Sequence, residues 1–198
     1  MGIEVVEGLA MARRDGPSNA GDLKWMGDYD AERKYMAFKS GTFSQWHQTT
    51  FRDPSLPRPY DGHTFSSCEQ YMMLNKALMF DDLKVADQIT KQSNCKIIKG
   101  LGRQVHGFSD EKWDEVKVAI VIRGNYLKFS QNERSKKFLL GTKPAFLVEG
   151  SRWDRVWGVG LDVSDGSISD PRKWRGENLL GKCLTYVRQA IEEEMMGQ

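Results

Sequence analysis

A glutamate and a lysine seven residues apart are the side chains whose types and spacing could do chemistry. On a helical wheel Glu69 and Lys76 fall within about 20° of each other, two turns apart. Methionine and phenylalanine share that face, and the rise of about 10 Å between the two residues argues against a direct ion pair within one helix. Burial would lower the pKa of the lysine and raise that of the glutamate, which suits a nucleophilic amine and a general acid. Ion pairs with other parts of the chain are the structural alternative.

Three further polar residues interrupt apolar segments. Glu149 ends the apolar run 146–148, Asp154 stands between two tryptophans, and Asn178 precedes two leucines. Each has an ordinary structural interpretation, respectively a strand-end charge, a turn carboxylate and a helix N-cap. Polar groups in such settings are also typical of a cleft, and the sequence leaves both interpretations open.

Cations and aromatic rings are available for a substrate that carries phosphate and a base. Gly102-Arg103 and Lys128 could hold phosphate, or be solvated surface charges. Tryptophan rings stack well on bases, but they also fill hydrophobic cores. The tryptophans concerned are Trp46, Trp113, Trp157 and Trp174.

Several familiar site motifs are excluded. Residues 176–183 nearly spell a phosphate-binding P-loop, but Cys183 stands where a magnesium-binding hydroxyl is required, and a basic segment precedes the loop instead of an apolar strand. The Gly-x-Gly pairs at 100–102 and 158–160 lack the third glycine of a dinucleotide site. The histidines lack zinc-ligand spacing, and no Gly-x-Ser-x-Gly elbow occurs. We therefore predict neither a metal nor a cofactor.

Helices must position these residues. Ser66 and Ser67 both open capping-box patterns and predict a buried helix over about 67–80. Further helices are predicted over 82–91, from Ser93 to about 100, and over 110–130, 133–140 and 178–195. Short strands are predicted over 35–38 and 145–149. The fold class is α+β, a helix-dominated single domain with a few short strands.

The composition is that of an ordinary folded protein. Its 198 residues are 39% hydrophobic and 28% charged, which supports one core without metals or disulfides. A net charge of +2 is too balanced to predict nucleic-acid binding from bulk charge, although it does not exclude a local basic patch. Residues 1–33, with glycine, proline, serine and asparagine, predict a partly disordered extension before a domain over 34–198.

Cysteine usage and hydropathy bear on location. Three widely spaced cysteines without a Cys-x-x-Cys motif are predicted to be reduced thiols. No segment has the length and apolar character of a signal peptide or a membrane span. We predict a cytoplasmic protein with no membrane partner, and the sequence leaves its oligomeric state open.

An ordered set of short motifs resembles the NADAR family, also called YbiA-like. None of the motifs is decisive alone, but their order is specific, and together they span residues 34–193 and leave the N-terminal extension outside. The motifs are Phe43-Ser44-Gln45-Trp46, Ser67-Cys68-Glu69-Gln70-Tyr71-Met72-Met73, Lys76-Ala77, Leu101-Gly102-Arg103-Gln104-Val105, Trp113, Lys128-Phe129, Leu140, Thr142, Leu147-Val148-Glu149, Asp154, Trp157-Gly158-Val159-Gly160, Trp174-x-Gly176-x-Asn178-Leu179-Leu180-Gly181 and Val187-Arg188.

The resemblance implies an N-glycosidase. Members of the family cleave phosphoribosylamino-pyrimidine intermediates of riboflavin synthesis, or remove ADP-ribose from guanine in nucleic acid. In both substrates the ribose C1 carries an exocyclic base amine. The expected partner is therefore an ADP-ribosylated nucleic acid or nucleotide. A riboflavin-type substrate, and a non-catalytic module that binds ADP-ribose or NAD, are the alternatives.

The resemblance also implies roles for individual residues. Lys76 would form a Schiff base with the ribose, Glu69 would transfer protons, and Asp154 would orient water, ribose or the lysine. Direct hydrolysis through an oxocarbenium-like state, with Glu69 as acid or base, is the simpler alternative. The residues expected to bind substrate are Ser44, Gln45, Trp46, Tyr71, Gly102, Arg103, Trp113, Lys128, Glu149, Trp157, Gly158 and Asn178.

Overall fold

The computed structural model describes residues 17, 19–23 and 32–197. Within these ranges the chain is α+β and helix-dominated, as predicted. The helices are α1 (Cys68–Met79), α2 (Leu83–Thr90), α3 (Cys95–Gly102), α4 (Asp110–Ser130), α5 (Glu133–Leu140) and α6 (Leu179–Met196). The strands are β1 (Tyr35–Phe38), β2 (Phe51–Arg52), β3 (Thr64–Phe65) and β4 (Phe146–Glu149), with 3₁₀ turns at Gly41–Phe43 and Pro171–Lys173.

The described chain divides into two compact units. We call residues 17, 19 and 45–132 the first unit, and residues 20–23, 32–44 and 133–197 the second unit. The predicted extension over 1–33 falls largely outside the described residues and stays a prediction.

Helix α1 is the centre of the first unit and packs against α2, α3 and α4. Ser67 caps it by accepting a hydrogen bond from the backbone N–H of Gln70, and the Gln70 side chain accepts one in return from the backbone N–H of Ser66. Ten of its twelve residues are buried, as an apolar sequence on nearly all sides predicts. Glycines allow the close packing, because a Cβ at Gly124 of α4 would lie only 2.7 Å from the Tyr71 ring.

A buried ion pair stabilises the first unit beside the short antiparallel strands β2 and β3. Asp53 is fully buried and accepts a 3.0 Å bond from Nη2 of Arg123 and a 2.7 Å bond from the Tyr71 hydroxyl. Burial alone would raise the pKa of Asp53, but hydrogen bonds from Arg123, Ser55 and Tyr71 outweigh it and lower the pKa. The carboxylate is therefore ionised and tied to α1 and α4.

The second unit is built on two parallel strands. Strand β1 pairs with β4 in the register Tyr35↔Phe146 to Phe38↔Glu149. Helix α6 packs on β4 so closely that a Cβ at Gly181 would clash with the Leu147 carbonyl oxygen. The first residues of α6 are therefore fixed against the last residues of the strand.

Most predicted boundaries agree with the structure within two residues. The predicted start of α3 differs, because Asn94 rather than Ser93 caps that helix, with its side chain accepting from the N–H groups of Lys96 and Ile97. All three cysteines are free and buried. Across the ranges that the structure covers, no helix is long and apolar enough to span a membrane, and no cluster of side chains fits a metal ion.

Candidate active site

Helix α1 carries Glu69 and Lys76 in contrasting environments. Glu69, in the first turn, is 3% exposed, whereas Lys76, in the last turns, is half-buried. The Lys76 Nζ lies 3.7 Å from the centroid of the Phe108 ring and 5.9 Å from that of Trp113. The two aromatic rings thus lie beside the amine, while the Lys76 side chain stays partly exposed.

The pKa of Lys76 is lowered, mainly because burial disfavours the ammonium form. The carboxylate of Asp110 opposes that shift, and the guanidinium of Arg103 adds to it. The direction agrees with the sequence prediction. A lysine with a lowered pKa holds more neutral amine, the nucleophilic form, near physiological pH.

Buried amides surround the start of α1. The backbone N–H of Glu69 donates to the Gln45 carbonyl oxygen at 3.0 Å, so the chain before β2 fixes the first turn. Gln45 is 8% exposed, and its Oε1 accepts a 3.3 Å bond from Asn125 Nδ2. Its own Nε2 has no hydrogen-bond partner among the described residues. An unsatisfied buried donor is costly, and a ribose hydroxyl or base carbonyl would satisfy it.

A second lysine of the first unit is fully enclosed. Lys128 on α4 has no exposed surface, and its Nζ lies 5.0 Å from the Phe129 ring centroid. Burial lowers its pKa, and nearby Cys68 opposes the shift. The interpretation of Lys128 as a solvated surface charge is therefore wrong. Burial raises the pKa of the Cys68 thiol to about 11, so this cysteine is not an activated nucleophile.

The other predicted residues of the first unit lie in varied settings. Tyr71 is fully buried, and its hydroxyl donates to Asp53. Gly102 packs directly against Met73, and a Cβ at position 102 would clash with the Met73 sulfur. Arg103 is exposed, and Trp46 is 44% exposed, so this tryptophan is not core filler. Both lie open to solvent and accessible to a ligand.

The second unit contains a carboxyl group that is protonated at neutral pH. Burial raises the pKa of Glu149 to about 8, with the Asp154 carboxylate adding to the shift and Lys39 opposing it. Its Oε2 is buried and lacks a hydrogen-bond partner within the part of the chain that the structure describes. Glu149 therefore has the properties of a proton donor, a role for which its position at a strand end gave no signal.

Asn178 fixes the end of β4. Its side chain accepts from the backbone N–H of Glu149 at 2.9 Å and donates to the Leu147 carbonyl at 3.0 Å. It stands at the N-cap of α6 with a left-handed φ of 55°, but its side chain makes no capping bond. The helix-cap interpretation of this side chain is therefore wrong, and Asn178 positions the backbone of Glu149 instead.

The remaining predicted residues of the second unit lie in two turns. Asp154 accepts from the backbone N–H groups of Val156 and Trp157, as the turn-carboxylate interpretation predicts. Gly158 is buried where a Cβ would lie 2.9 Å from the Asp154 carbonyl oxygen. Ser44 closes the 3₁₀ turn at Gly41–Phe43 through its backbone N–H. Each of these residues thus has a local structural role, whatever it binds.

Sequence reasoning missed two members of the first-unit site. Phe108, which contacts Lys76, lies in a loop with no periodic pattern to mark it. Asn125 did leave a signal, because an amide interrupts the otherwise apolar face of α4 and bonds back to the Val121 carbonyl oxygen one turn earlier.

Comparison with known proteins places this geometry in context. A model of the NADAR domain matches residues 33–192. The N-glycosidase R617 of Acanthamoeba polyphaga mimivirus is 41% identical over 154 residues, which cover 76% of this chain and 88% of that protein. The N-glycosidase YbiA of Escherichia coli is 29% identical over 138 residues, covering 70% of this chain and 78% of that protein. The NMR structure of the E. coli protein YbiA superposes with a TM-score of 0.67 and 24% identity, covering 92% of this chain and 97% of that chain.

Proposed function

This chain belongs to the NADAR domain family, and from that premise we propose that it is an N-glycosidase that removes ADP-ribose from the exocyclic amine of guanine. The observation that carries the proposal is the Lys76 amine, half-buried beside aromatic rings, on the same helix as the buried carboxyl group of Glu69. N-glycosidases named among its relatives support the reaction class.

The substrate chemistry explains why a lysine is useful. A ribose whose C1 carries an exocyclic base amine can open to an imine between C1 and that nitrogen. The lone pair of neutral Lys76 attacks C1 and forms a carbon–nitrogen bond, and a proton passes from Nζ to the base nitrogen. The bond between C1 and the base nitrogen then breaks, the base leaves as its free amine, and a lysine Schiff base with the sugar remains.

Water completes the reaction. It adds to C1 of the Schiff base, and Glu69 accepts a proton from it after donating one to the departing base amine. Glu69 then passes its proton to Nζ and takes one from the new hydroxyl group, the carbon–lysine bond breaks, and the sugar leaves with a free anomeric carbon while Lys76 returns to its neutral form. The net change is addition of one water across the N-glycosidic bond.

Other side chains of the first unit support these steps. The unsatisfied Nε2 of Gln45 would bind a ribose or base oxygen, and exposed Arg103 would pair with phosphate. Trp113, which lies beside the Lys76 amine, would bound the ribose or the base. The binding roles of Ser44, Trp46, Tyr71, Gly102, Lys128, Glu149, Trp157, Gly158 and Asn178, and the catalytic role of Asp154, remain predictions.

Covalent trapping tests the mechanism. The protein is incubated with ADP-ribosylated guanosine monophosphate and sodium borohydride, and peptides are analysed by mass spectrometry. We expect a reduced adduct on Lys76, no turnover by Lys76→Ala, and normal turnover by Lys96→Ala, which removes an exposed lysine of the same unit. Turnover without any adduct would support direct hydrolysis, and near-normal turnover by Lys76→Ala would refute the role of the lysine.

A substrate panel tests the specificity. Release of free base is compared for ADP-ribosylated guanosine monophosphate, an ADP-ribosylated oligonucleotide and a phosphoribosylamino-pyrimidine. Cleavage of the pyrimidine compound alone would assign the chain to the other substrate class. Tight binding of ADP-ribose with no cleavage of any compound would identify a binding module instead of an enzyme.

A further inference from the structure

The second unit exposes an isolated aromatic ring among cationic side chains. Trp153 is 89% exposed, more than any other large hydrophobic residue in the described ranges. Arg152 and Arg155 flank it in sequence and are exposed, as is Arg175. A tryptophan with this exposure contributes little to the core of the unit, and it lies next to arginines in the sequence.

The three arginines lie on neighbouring backbone. A Cβ at Gly160 would lie 2.9 Å from Arg175 Cβ and 3.5 Å from Arg155 Cγ. The side chains of Arg155 and Arg175 therefore both pack beside Gly160. Hydrogen bonds from Ser167 are the main cause of the lowered pKa of Asp165, and Arg175 and Arg152 add to it, so both guanidinium groups lie within electrostatic range of that carboxylate. None of the three guanidinium groups forms an ion pair with a carboxylate among residues 17, 19–23 and 32–197.

The loop that presents these side chains is held rigidly. The Asp154 carboxylate accepts from two backbone N–H groups within the loop. The Arg155 carbonyl oxygen accepts from the N–H of Glu177 at 2.9 Å, and the N–H of Arg175 donates to the Val159 carbonyl at 2.8 Å. These hydrogen bonds therefore fix the backbone from which the indole and the arginine side chains extend.

The neighbouring tryptophan provides an internal contrast. Trp174 is half-buried, its indole N–H donates to the Ile168 carbonyl at 2.8 Å, and its ring packs edge-on against Tyr35. Trp174 is thus a structural residue of the unit. Trp153 has no such contact with the part of the chain that the structure describes, so its exposed ring is available to an external partner.

We propose that Trp153, Arg152, Arg155 and Arg175 form a surface that binds single-stranded nucleic acid, with the indole stacking on an unpaired base and the arginines pairing with backbone phosphates. Aromatic stacking plus cationic groups is how proteins hold single strands without sequence preference. Guanidinium groups suit phosphate oxygens geometrically. Enzymes that react at a base need it out of the stack or in a single strand. The inference rests on the proposed function only in taking the natural substrate to be a strand instead of a free nucleotide.

Binding of unmodified strand tests the surface independently of catalysis. A fluorescein-labelled oligothymidylate of roughly 10 nucleotides is titrated with the full chain, and fluorescence anisotropy is followed at several salt concentrations. We expect Trp153→Ala to weaken binding about tenfold, Trp153→Phe to retain most of it, and Arg152→Ala to reduce both affinity and its salt dependence. Arg58→Ala, which removes an exposed arginine of the first unit, is the control and should change little. Equal binding by wild type, Trp153→Ala and Arg152→Ala would overturn the proposal.

Catalysis supplies the second readout. We expect Trp153→Ala to lower kcat/KM on an ADP-ribosylated oligonucleotide about tenfold while leaving kcat/KM on ADP-ribosylated guanosine monophosphate unchanged. An equal loss on both substrates would contradict a strand-binding role. If neither substrate is cleaved, the proposed function fails, and the anisotropy experiment still decides whether the surface binds nucleic acid. The indole is almost wholly exposed, so the variant should unfold at the wild-type urea concentration.

Discussion

Replacing Glu149 by glutamine should change how stability depends on pH. Burial and the Asp154 carboxylate raise the pKa of Glu149 from 4.5 to about 8, so the folded chain prefers the protonated acid. This contribution to stability is fully present below the unfolded pKa and is lost as pH rises through the folded pKa. Wild type should therefore lose stability between about pH 5 and pH 8, whereas a glutamine, which cannot ionise, should not lose this contribution.

The magnitude follows from the same shift. At pH 7 Glu149 is ionised in the unfolded chain but mostly protonated in the folded one. At 1.36 kcal/mol per pKa unit, the free energy of unfolding is therefore about 3 kcal/mol lower at pH 7 than in acid. Partial exposure of Glu149 screens the effect, and we expect roughly 1 to 3 kcal/mol. The amide NH₂ of glutamine adds a donor near the buried Oε2 position, a cost that is constant with pH. The pH dependence of the difference between variant and wild type is therefore the readout.

Urea denaturation at a series of pH values measures this difference. The gap between Glu149→Gln and wild type should widen in favour of the variant from pH 5 to pH 8 and then level off. Asp154→Asn is the matched control, because it removes the carboxylate that raises the pKa of Glu149 but keeps an oxygen for the N–H groups of Val156 and Trp157. Asp154→Asn should make the loss of stability between pH 5 and pH 8 smaller than in wild type without abolishing it, because burial of Glu149 remains. Parallel profiles for wild type and Glu149→Gln over this range would refute the assignment of a neutral acid at this position.

Three further predictions concern the first unit. Gly124→Ala should destabilise the chain by roughly 1 to 3 kcal/mol, because its methyl group would lie 2.7 Å from the Tyr71 ring; an unchanged urea midpoint would contradict that packing. Asp53→Asn should cost about 3 kcal/mol at pH 7 by leaving the guanidinium of the buried ion pair uncompensated. Because the pKa of Asp53 is lowered, the stability that its carboxylate contributes should disappear as pH falls through the folded pKa. If Asp53→Asn stays less stable than wild type in acid, the ion pair is not the source of that stability. Turnover should rise with pH through the lowered pKa of Lys76. Asp110→Asn should move that rise to lower pH, because it removes a carboxylate that favours the ammonium form of Lys76. A shift to higher pH, or no shift, would count against Lys76 as the nucleophile.

Local signals in the sequence were sufficient to predict α1 and its burial. Serine before an apolar segment marked the cap, and the nearly continuous apolar residues predicted burial of Glu69. The enclosure of Lys128 and the protonation of Glu149 depend on distant segments that pack around them, and no pattern within a few residues encodes that. The same applies to Asn178, whose position suggested a helix cap but whose side chain bonds to β4, which lies about 30 residues earlier.

Two lysines of the first unit have lowered pKa values, and their environments separate their roles. Burial is the main cause for both Lys76 and Lys128. Half-buried Lys76 has exposed surface, as the proposed nucleophile needs, whereas Lys128 has none. The proposed reaction would require partial burial, because full exposure would keep the amine protonated and full enclosure would keep the ribose away. The position of Lys76, covered by Phe108 and Trp113 but open to solvent, meets both demands at once.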